Sequence, residues 1–377
     1  MSKRLVLIVE SPFSLRDRRR FGVDQLRALG FSVQIWEVCD WILPRSREQW
    51  LEDPGDIEVH SISTSVEFRK LTQTLTDNDS VILIGVVRFP IGPEREALLE
   101  CLFDTSSRIG SVVVGNLPSP SRGWDLRQQL HRYLSLVRAS LRGVRKFRRG
   151  LDYVWGDTSI RTVDRRVLTS SSDVHYVHAL DYDLVSAVNR EPAESPYALI
   201  LDSMGPRHPD WQTLGIGNPW PKGCYEATAR ALIKELTARG FQVIVAAHPR
   251  AAPGTIEHLY EGADVQYGNT PELLAAASFA LTLEGSTSLG MAAVLRVPII
   301  FVEAECQPEY TRMMVASFCR AFKSRPHSVA SVATLTLPPV VDSNVYEKYV
   351  RDFVKRPDTP EGDFWLIVGN HLLRSER

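Results

Sequence analysis

A hydroxyl-rich segment in the second half of the chain has the residue types of an anion-binding loop. Glu284-Gly285-Ser286-Thr287-Ser288 follows a short apolar run and precedes a helical pattern. Backbone N–H groups in the first turn of a helix lack internal partners and favour anions, and the hydroxyls of Ser286, Thr287 and Ser288 add donors. The segment therefore suits a phosphate or a sugar carboxylate. Plain helix capping explains the same residues.

Imidazole and guanidinium groups follow an earlier apolar run. His248-Pro249-Arg250 comes directly after 242–247, and strand ends are where α/β folds place groups that contact ligands. His248 and Arg250 can both reach a phosphate, the guanidinium with two donors at once. The alternative is a loop that only turns the chain, with Pro249 fixing its path.

Two further segments carry polar groups near predicted strands. The loop after 197–201 contains Asp202, His208 and Asp210, which are titratable groups at a strand end. Asx turns with a solvated histidine are the alternative. Thr270-Pro271-Glu272 has the pattern of a helix start, because Thr270 can cap, Pro271 suits the first turn, and Glu272 suits the positive end of the helix dipole.

Carboxylates are the candidate acids and bases of the first half. Glu10 ends the first apolar run, where a carboxylate can act as a general acid or base. A charge partner for a helix start is the alternative. Asp181 and Asp183 share a side if their segment is extended, whereas the alternative is an aspartate-rich turn before a helix at 184–188.

Buried strands and amphipathic helices must position these groups. In the first half, apolar runs predict strands at 5–9, 31–38, 81–87, 111–114 and 152–155, with helices at 94–103 and 124–141. In the second half they predict strands at 197–201, 242–247, 279–283 and 297–302, with helices at 225–239 and 289–295. This alternation indicates α/β structure with a mostly parallel sheet in each half.

The length of the chain and a proline-containing stretch near its middle predict two domains. At 377 residues the chain exceeds the usual size of one core. The proline-containing stretch 189–196 separates an N-terminal domain, 1–190, from a C-terminal domain, 197–340. Helical spacing continues in a tail, 341–377, which we expect to pack back on the N-terminal domain.

Composition narrows the class of protein. A formal net charge of −1 gives no global basic field for nucleic acid. The five cysteines are scattered without C-x-x-C spacing, which predicts neither a zinc site nor a disulfide framework and fits a reducing compartment. No apolar stretch is long enough to span a membrane, so we expect a cytoplasmic protein. The basic run 132–149 is a candidate contact with the inner membrane, or simply a solvated helix face.

Five segments in a fixed order resemble a known group of enzymes. They are HYVHALDYD (175–183), ALILDSMGPRHPD (198–210), VIVAAHPR (243–250), GNTPELL (268–274) and EGSTSLGMAAVLRVPIIF (284–301). Together they resemble GT-B glycosyltransferases of bacterial surface-polysaccharide biosynthesis. The His-Pro and Ser/Thr-Ser elements are similar to those of CMP-sialic-acid-using polysialyltransferases and CMP-Kdo-using retaining β-Kdo transferases. The resemblance is strong over 174–302 and weak before it. Gly285, which precedes Ser286, departs from the usual sequence of the family's Ser/Thr element.

The resemblance implies a fold and a set of roles. The fold is two Rossmann-like doubly wound domains with a cleft between them and a helical tail. His248 would contact the CMP phosphate, as part of a donor site completed by Pro249, Arg250, Thr270, Glu272, Ser286, Thr287 and Ser288. Asp181 or Asp183 would attack the anomeric carbon or act as the base, and the remaining catalytic candidates are Glu10 and His208.

The implied activity is transfer of a Kdo-like or sialic-acid-like sugar from a CMP-activated donor to a glycan or lipid-linked glycan. No cofactor or metal is required in this scheme, although a divalent ion on Asp181-Tyr182-Asp183, which spells D-x-D, would revise it. Three alternatives stay open: a transferase using a UDP- or GDP-sugar, an isomerase like the UDP-sugar 2-epimerases, and a catalytically silent nucleotide-sugar-binding protein.

Overall fold

The computed structural model describes residues 3–43, 55–88, 91–113, 115–118, 147, 149–191, 193–208, 211 and 218–375. These residues pack as two compact units. The first contains the described parts of Met1–Asn116, Asp125–Leu180 and Arg356–Arg377, and the second consists mainly of Asp181–Lys355. The chain therefore changes unit after Leu180, ahead of the linker expected at 189–196. Of the expected tail, 341–355 lies in the second unit and the remainder in the first.

The first unit is built on a seven-stranded parallel sheet. Its strands are β1 (Lys3–Val9), β2 (Phe31–Glu37), β3 (Val59–Ser61), β4 (Ser80–Ile84), β5 (Arg108–Val113), β6 (Tyr153–Gly156) and β7 (Asp173–Tyr176). Their order is β3-β2-β1-β4-β5-β6-β7. The order reverses between β1 and β4, where Leu5 lies opposite Ser80 and Val9 opposite Ile84.

The second unit is built on a six-stranded parallel sheet. Its strands are β8 (Tyr197–Leu201), β9 (Gln242–Ala246), β10 (Asp264–Gln266), β11 (Phe279–Thr282), β12 (Ile299–Val302) and β13 (Pro326–His327). Their order is β10-β9-β8-β11-β12-β13, so this order reverses between β8 and β11. Ligands of open α/β sheets bind outside the carboxyl ends of the strands at such a point.

Helices connect the strands in both units. The first unit contains α1 (Leu15–Arg20), α2 (Val23–Ala28), α3 (Cys39–Ile42), α4 (Ser65–Thr72) and α5 (Pro93–Phe103). The second contains α6 (Tyr182–Ser186), α7 (Cys224–Ala238), α8 (Thr270–Ala276), α9 (Ser288–Val294), α10 (Glu309–Ala321), α11 (Val329–Val332) and α12 (Ser343–Tyr349). A π-helical turn, Val350–Val354, follows α12, and α13 (Phe364–Arg374) returns to the first unit.

Burial on both faces explains the apolar runs of the central strands. Along β1, Leu5 and Leu7 join a core that contains residues of α2 and α13. Val6 and Ile8 join a second core that contains residues of α4 and α5. Because successive strand side chains point to opposite faces, a strand covered on both sides must be apolar throughout. The predicted doubly wound α/β architecture is confirmed.

Short edge strands escaped prediction. β3 and β10 have three residues each, and β7 reads Asp-Val-His-Tyr, with its first two residues exposed. Such strands carry little apolar signal because one edge or face meets solvent. The helix predicted at 124–141 and most of the basic run 132–149 lie outside the described residues. Arg149 is described, and its guanidinium donates to the carbonyl oxygens of Thr105 (2.7 Å) and Ser107 (2.8 Å).

α13 packs closely within the first unit. The Trp365 indole N–H donates to the carbonyl oxygen of Arg20 at 2.7 Å. Gly22 has a φ of +56°, and a Cβ there would lie 2.1 Å from Cγ of Trp365. A glycine is therefore required between α1 and α2 for both backbone and space. Among the described residues, no helix is long and apolar enough to cross a membrane.

Candidate functional site

Polar residues meet at the carboxyl edge of the second sheet, where its strand order reverses. Asp202 follows β8, Glu284 follows β11 on one side, and His248 follows β9 on the other. In the sequence, each of these residues follows an apolar run that predicts a strand. The parallel sheet brings these three strand ends to one edge, although 82 residues separate Asp202 from Glu284.

The carboxylate of Asp202 accepts hydrogen bonds from three other residues at this edge. Its carboxylate is 5% exposed and accepts hydrogen bonds from the backbone N–H of His248 (2.9 Å) and of Met204 (2.8 Å). The Tyr260 hydroxyl donates a third bond at 2.7 Å. Burial raises the pKa of Asp202, and these three donors oppose that rise, with a smaller contribution from the charge of His208.

The two site histidines lie side by side. The ring centroids of His208 and His248 are 5.4 Å apart, and the Trp211 ring lies 6.3 Å from His208. The backbone N–H of Arg250 donates to Nδ1 of His248 at 3.2 Å. A neutral imidazole that accepts at Nδ1 carries its proton at Nε2, so this nitrogen of His248 is a hydrogen-bond donor. Pro249 is exposed within the turn that Ala251 N–H closes on the His248 carbonyl oxygen.

The hydroxyl segment forms a compact turn before α9. The Ser286 hydroxyl accepts from the backbone N–H of Ser288 (3.3 Å) and from its hydroxyl (3.1 Å). Ser286, Thr287 and Ser288 are all half-buried, and α9 begins at Ser288, one residue before the predicted start. A Cβ on Gly285 would lie 2.1 Å from the Phe318 ring of α10, so the glycine allows α10 to pack beneath this turn.

Glu284 was not among the predicted site residues. Its carboxylate is 7% exposed and accepts from the Trp220 indole N–H at 2.9 Å. Burial raises the pKa of Glu284 to about 7, partly offset by hydrogen bonding and further raised by the charge of Asp202. The available sequence signal was an acidic residue two positions after a mostly apolar strand, in a part of the chain that is buried.

The predicted nucleoside segment starts α8. Asn269, not Thr270, occupies the capping position, and Pro271 lies in the first turn as expected. Thr270 is half-buried and Glu272 is exposed. Neither Thr270 nor Glu272 is among the described residues that bond Asp202.

Asp181 and Asp183 lie at the start of a helix and not in a strand. Asp181 occupies the capping position of α6 with helical dihedrals, φ −73° and ψ −8°. Residues two apart on a helix do not face each other, so the two carboxylates diverge. The observed arrangement is the turn and helix given above as the alternative, not the extended segment, and the helix begins at Tyr182, two residues before the predicted start at 184. α6 packs against α9, the helix that follows the hydroxyl segment.

Glu10 is held by an arginine at the carboxyl edge of the first sheet. Arg95 of α5 contacts both carboxylate oxygens: its Nε bonds Oε1, and its Nη2 lies 2.8 Å from Oε2. A bidentate pair of this kind fixes the orientation of a carboxylate. Glu10 therefore lies in a defined position, and its proposed part in acid–base chemistry stays a prediction.

Two cysteines that are far apart in the sequence meet in the second unit. Cys224, the first residue of α7, forms a disulfide with Cys306, which follows β12. The expectation that the scattered cysteines form no disulfide is wrong, because the sheet brings these positions within 6.2 Å, Cα to Cα, across 82 residues. Cys306 is exposed, and next to it Gln307 donates to the Leu283 carbonyl oxygen at 2.6 Å.

One cluster in the first unit has metal-ligand types. Ligand atoms of Asp173, His175 and His371 all lie within 4.8 Å of one another. The Trp155 indole N–H donates to Nδ1 of His371 at 3.0 Å. His371 then carries its proton at Nε2, where a metal would need a lone pair. The Trp155 bond therefore favours hydrogen bonding within this cluster over coordination through His371.

Comparison with known proteins locates the fold. No protein-family model matches the sequence. No curated protein matches it either. The structure of CalG4, the calicheamicin glycosyltransferase, matches with a TM-score of 0.56 and 12% identity over 99% of this chain and 98% of CalG4.

Two structures solved with a nucleotide match at similar levels. Arabidopsis thaliana UGT89C1 complexed with UDP gives a TM-score of 0.52 at 12% identity, over 99% of both chains. LpCGTa in complex with UDP gives 0.51 at 11% identity, again over 99% of both chains. At such identities the likeness concerns the fold alone. The chain has two parallel-sheet units in the arrangement of strands and helices shared with these proteins, which is the GT-B glycosyltransferase fold.

Proposed function

We propose that the protein is a glycosyltransferase that moves an acidic sugar, of the Kdo or sialic-acid kind, from a CMP-activated donor to a surface glycan. The observation that carries the proposal is the pairing of His208 and His248 at the point where the second sheet reverses its strand order. Imidazole N–H groups at that place suit the phosphate of a nucleotide. The fold supports a transferase, and the sequence resemblance supports CMP.

The donor site is proposed to lie on the second unit. His248 donates from Nε2 to the CMP phosphate, and His208 beside it adds positive charge when protonated. The hydroxyls of Ser286, Thr287 and Ser288 hold the phosphate or the sugar carboxylate. Arg250, after Pro249, supplies a guanidinium at the rim, and Thr270 and Glu272 are assigned to the nucleoside by resemblance alone.

The chemistry is proposed as a double displacement. A carboxylate oxygen of Asp181 bonds to the anomeric carbon while the bond from that carbon to the phosphate oxygen breaks, and CMP leaves with the electron pair. An acceptor hydroxyl then attacks the same carbon, its proton passes to a base, and the Asp181 carboxylate is released. Glu10, oriented by Arg95, is the proposed base, and Asp183 is the alternative nucleophile.

A UDP-sugar is the second candidate donor. Two structures of the same fold, those of UGT89C1 and LpCGTa, hold UDP. An isomerase acting on a UDP-sugar and a silent nucleotide-sugar-binding protein share the nucleotide requirement and differ in turnover. We place the reaction in the cytoplasm, with contact to the inner membrane through the basic run 132–149, where a lipid-linked acceptor would be presented.

The test is a thermal-shift screen of the purified protein with CMP, UDP, GDP and ADP. A ligand that binds only the folded state raises the melting temperature by mass action. We expect a selective shift with CMP that His248→Ala removes. His258→Ala, an exposed histidine of the same unit, is the matched control and should keep the shift.

Each other outcome has a defined meaning. A shift with UDP or GDP alone would replace the donor and keep the fold-based proposal. Conversion of a UDP-sugar without any acceptor would indicate an isomerase, and CMP binding without donor consumption under any acceptor would indicate a silent binder. No shift with any of the four nucleotides would overturn the transferase proposal.

A further inference from the structure

One buried carboxylate connects the two loops that carry the site histidines. Oδ2 of Asp202 accepts the backbone N–H of His248 at 2.9 Å, two residues after β9 ends. Oδ1 accepts the backbone N–H of Met204 at 2.8 Å, in the loop that leads to His208. The two oxygens of one side chain therefore bond two separate loops. One loop contains His248 and the other contains His208.

The turn held by Oδ1 is an unusual one. Met204 has a φ of +59° and Gly205 a φ of +42°, so two successive residues lie in the left-handed region. A non-glycine residue is strained in that region, because its Cβ approaches the following carbonyl oxygen. The Asp202 bond to the Met204 N–H offsets this strain. The backbone N–H of His208 then bonds the Gly205 carbonyl oxygen at 3.2 Å, which relates the turn to the position of His208.

A second arm ties the same carboxylate to the core. The Tyr260 hydroxyl donates to Oδ1 of Asp202 at 2.7 Å, and the Tyr225 and Tyr260 hydroxyls are 2.6 Å apart. Both tyrosines are 1% exposed. This arm uses Oδ1, the oxygen that also holds Met204, and leaves Oδ2 to the backbone N–H of His248.

We propose that Asp202 is a positioning residue that sets the spacing of His208 and His248 so that both imidazoles bind one phosphate group of the nucleotide. The proposal rests on the proposed function in that the ligand is a nucleotide. Asp202 itself does not touch the ligand. It acts through the backbone of the His248 loop and through the left-handed turn before His208.

Chemistry selects the variant that tests the loop arm. Asparagine at 202 keeps one oxygen, enough for Met204 and Tyr260, but faces the His248 N–H with an amide N–H₂, and two donors cannot bond. Tyr260→Phe removes a donor from the core arm and leaves the His248 bond in place. The two variants therefore perturb the same buried network on opposite sides, and each serves as the control of the other.

The first readout is nucleotide affinity, measured by calorimetry with CMP and UDP on the full chain. We expect Asp202→Asn to weaken the dissociation constant of whichever nucleotide binds by about tenfold, in the range of a bond to a charged group. Tyr260→Phe should change it by less than about twofold. In a His248→Ala background the Asp202→Asn effect should fall below about twofold, because residues that act through one another are not additive.

The second readout does not depend on nucleotide. The ring signals of His248 in nitrogen-edited NMR should move in Asp202→Asn, where its backbone bond is lost, and those of both histidines should stay in Tyr260→Phe. The His248 backbone amide of the unsubstituted protein should exchange with solvent at least about a hundredfold more slowly than an open loop amide, as a buried bonded N–H does. That measurement stands even if Asp202→Asn does not fold.

The outcomes separate the two proposals. If neither nucleotide binds the unsubstituted protein, the proposed function fails, and the ring signals and amide exchange still decide whether Asp202 positions the histidines. If nucleotide binds and Asp202→Asn binds it as tightly, the positioning role is overturned while the function stands. The positioning role is also overturned if Asp202→Asn weakens nucleotide affinity equally with and without the His248 ring. A His248 amide that exchanges fast with solvent overturns it as well.

Discussion

At neutral pH the Glu284 carboxyl is divided between its protonated and ionised forms, because burial raises its pKa to about 7 from an ordinary 4.5. The folded protein binds this proton more tightly than the unfolded chain does. The resulting stabilisation is complete below pH 4.5 and is lost as the pH rises through 7. A shift of this size corresponds to about 3 kcal/mol when the carboxyl is fully ionised.

We therefore expect Glu284→Gln to stabilise the protein at alkaline pH. Glutamine keeps the oxygen that accepts from Trp220 and cannot ionise. The gain in free energy of unfolding over the unsubstituted protein should be about 2 kcal/mol larger at pH 8.5 than at pH 5. Urea denaturation at both pH values measures it, and a gain that does not change with pH would contradict the raised pKa.

The two carboxylates of α6 should differ in their effect on catalysis. If Asp181 is the nucleophile, Asp181→Ala abolishes transfer while leaving nucleotide affinity nearly unchanged, because a group that acts on the anomeric carbon contributes little to binding of free nucleotide. Asp183→Ala is the matched control two residues away. Transfer assays with nucleotide titrations distinguish the two, and surviving activity in Asp181→Ala would reassign the nucleophile.

Residues at strand ends were predictable and the bonds between them were not. The positions of His248 and Ser286–Ser288 after strands were predicted because each follows a short apolar run typical of a buried strand, and their part in binding stays a prediction. The Tyr260 hydroxyl that bonds Asp202 comes from 58 residues further along the chain, and no local pattern marks it. The same reason hid the disulfide between Cys224 and Cys306, since only the order of the strands brings them together.

At the scale of elements, the central strands and the helices α5, α7 and α9 were predicted within a few residues, whereas the 13-residue α10 and the short edge elements were not. β8 was predicted at its observed bounds, and α7 differs from its predicted helix by one residue at each end. β13 has two residues and depends on pairing with β12 instead of on its own sequence. For Asp181 and Asp183 the sequence left an extended segment and a turn before a helix open, and the structure has the turn and helix, with α6 starting two residues before 184.

The contact between α13 and the α1–α2 junction gives a prediction at this scale. Gly22→Ala should lower the free energy of unfolding of the first unit by about 2–4 kcal/mol, since it adds left-handed strain and a clash with Trp365. Gly30→Ala is the matched control: Gly30 also has a positive φ, +93°, but no described atom lies within 4 Å of a Cβ there.

Chemical denaturation of both glycine variants measures the difference. Limited proteolysis should release the segment from Phe364 onward faster in Gly22→Ala than in Gly30→Ala, because Trp365 of α13 no longer packs against residue 22. Equal losses of stability in the two variants would mean that Trp365 moves aside at little cost.

At the scale of the whole molecule, one covalent link spans much of the second unit. Cys306→Ser should lower the free energy of unfolding of this unit by about 2–4 kcal/mol, because the disulfide constrains an 82-residue separation in the unfolded chain. Guanidinium denaturation of the oxidised protein measures it. Dithiothreitol should reduce the stability of the unsubstituted protein to that of the variant and leave the variant unchanged; a reductant effect on the variant would contradict this assignment.

The return of α13 to the first unit has a consequence for synthesis on the ribosome. The whole of Asp181–Lys355 is translated before Phe364 and Trp365, which complete a core begun by β1. Until then the nascent first unit presents an uncovered apolar face, with Leu26 and Phe31 among its residues. The first unit, though it begins the chain, therefore cannot complete its core until the segment that follows the second unit has been made.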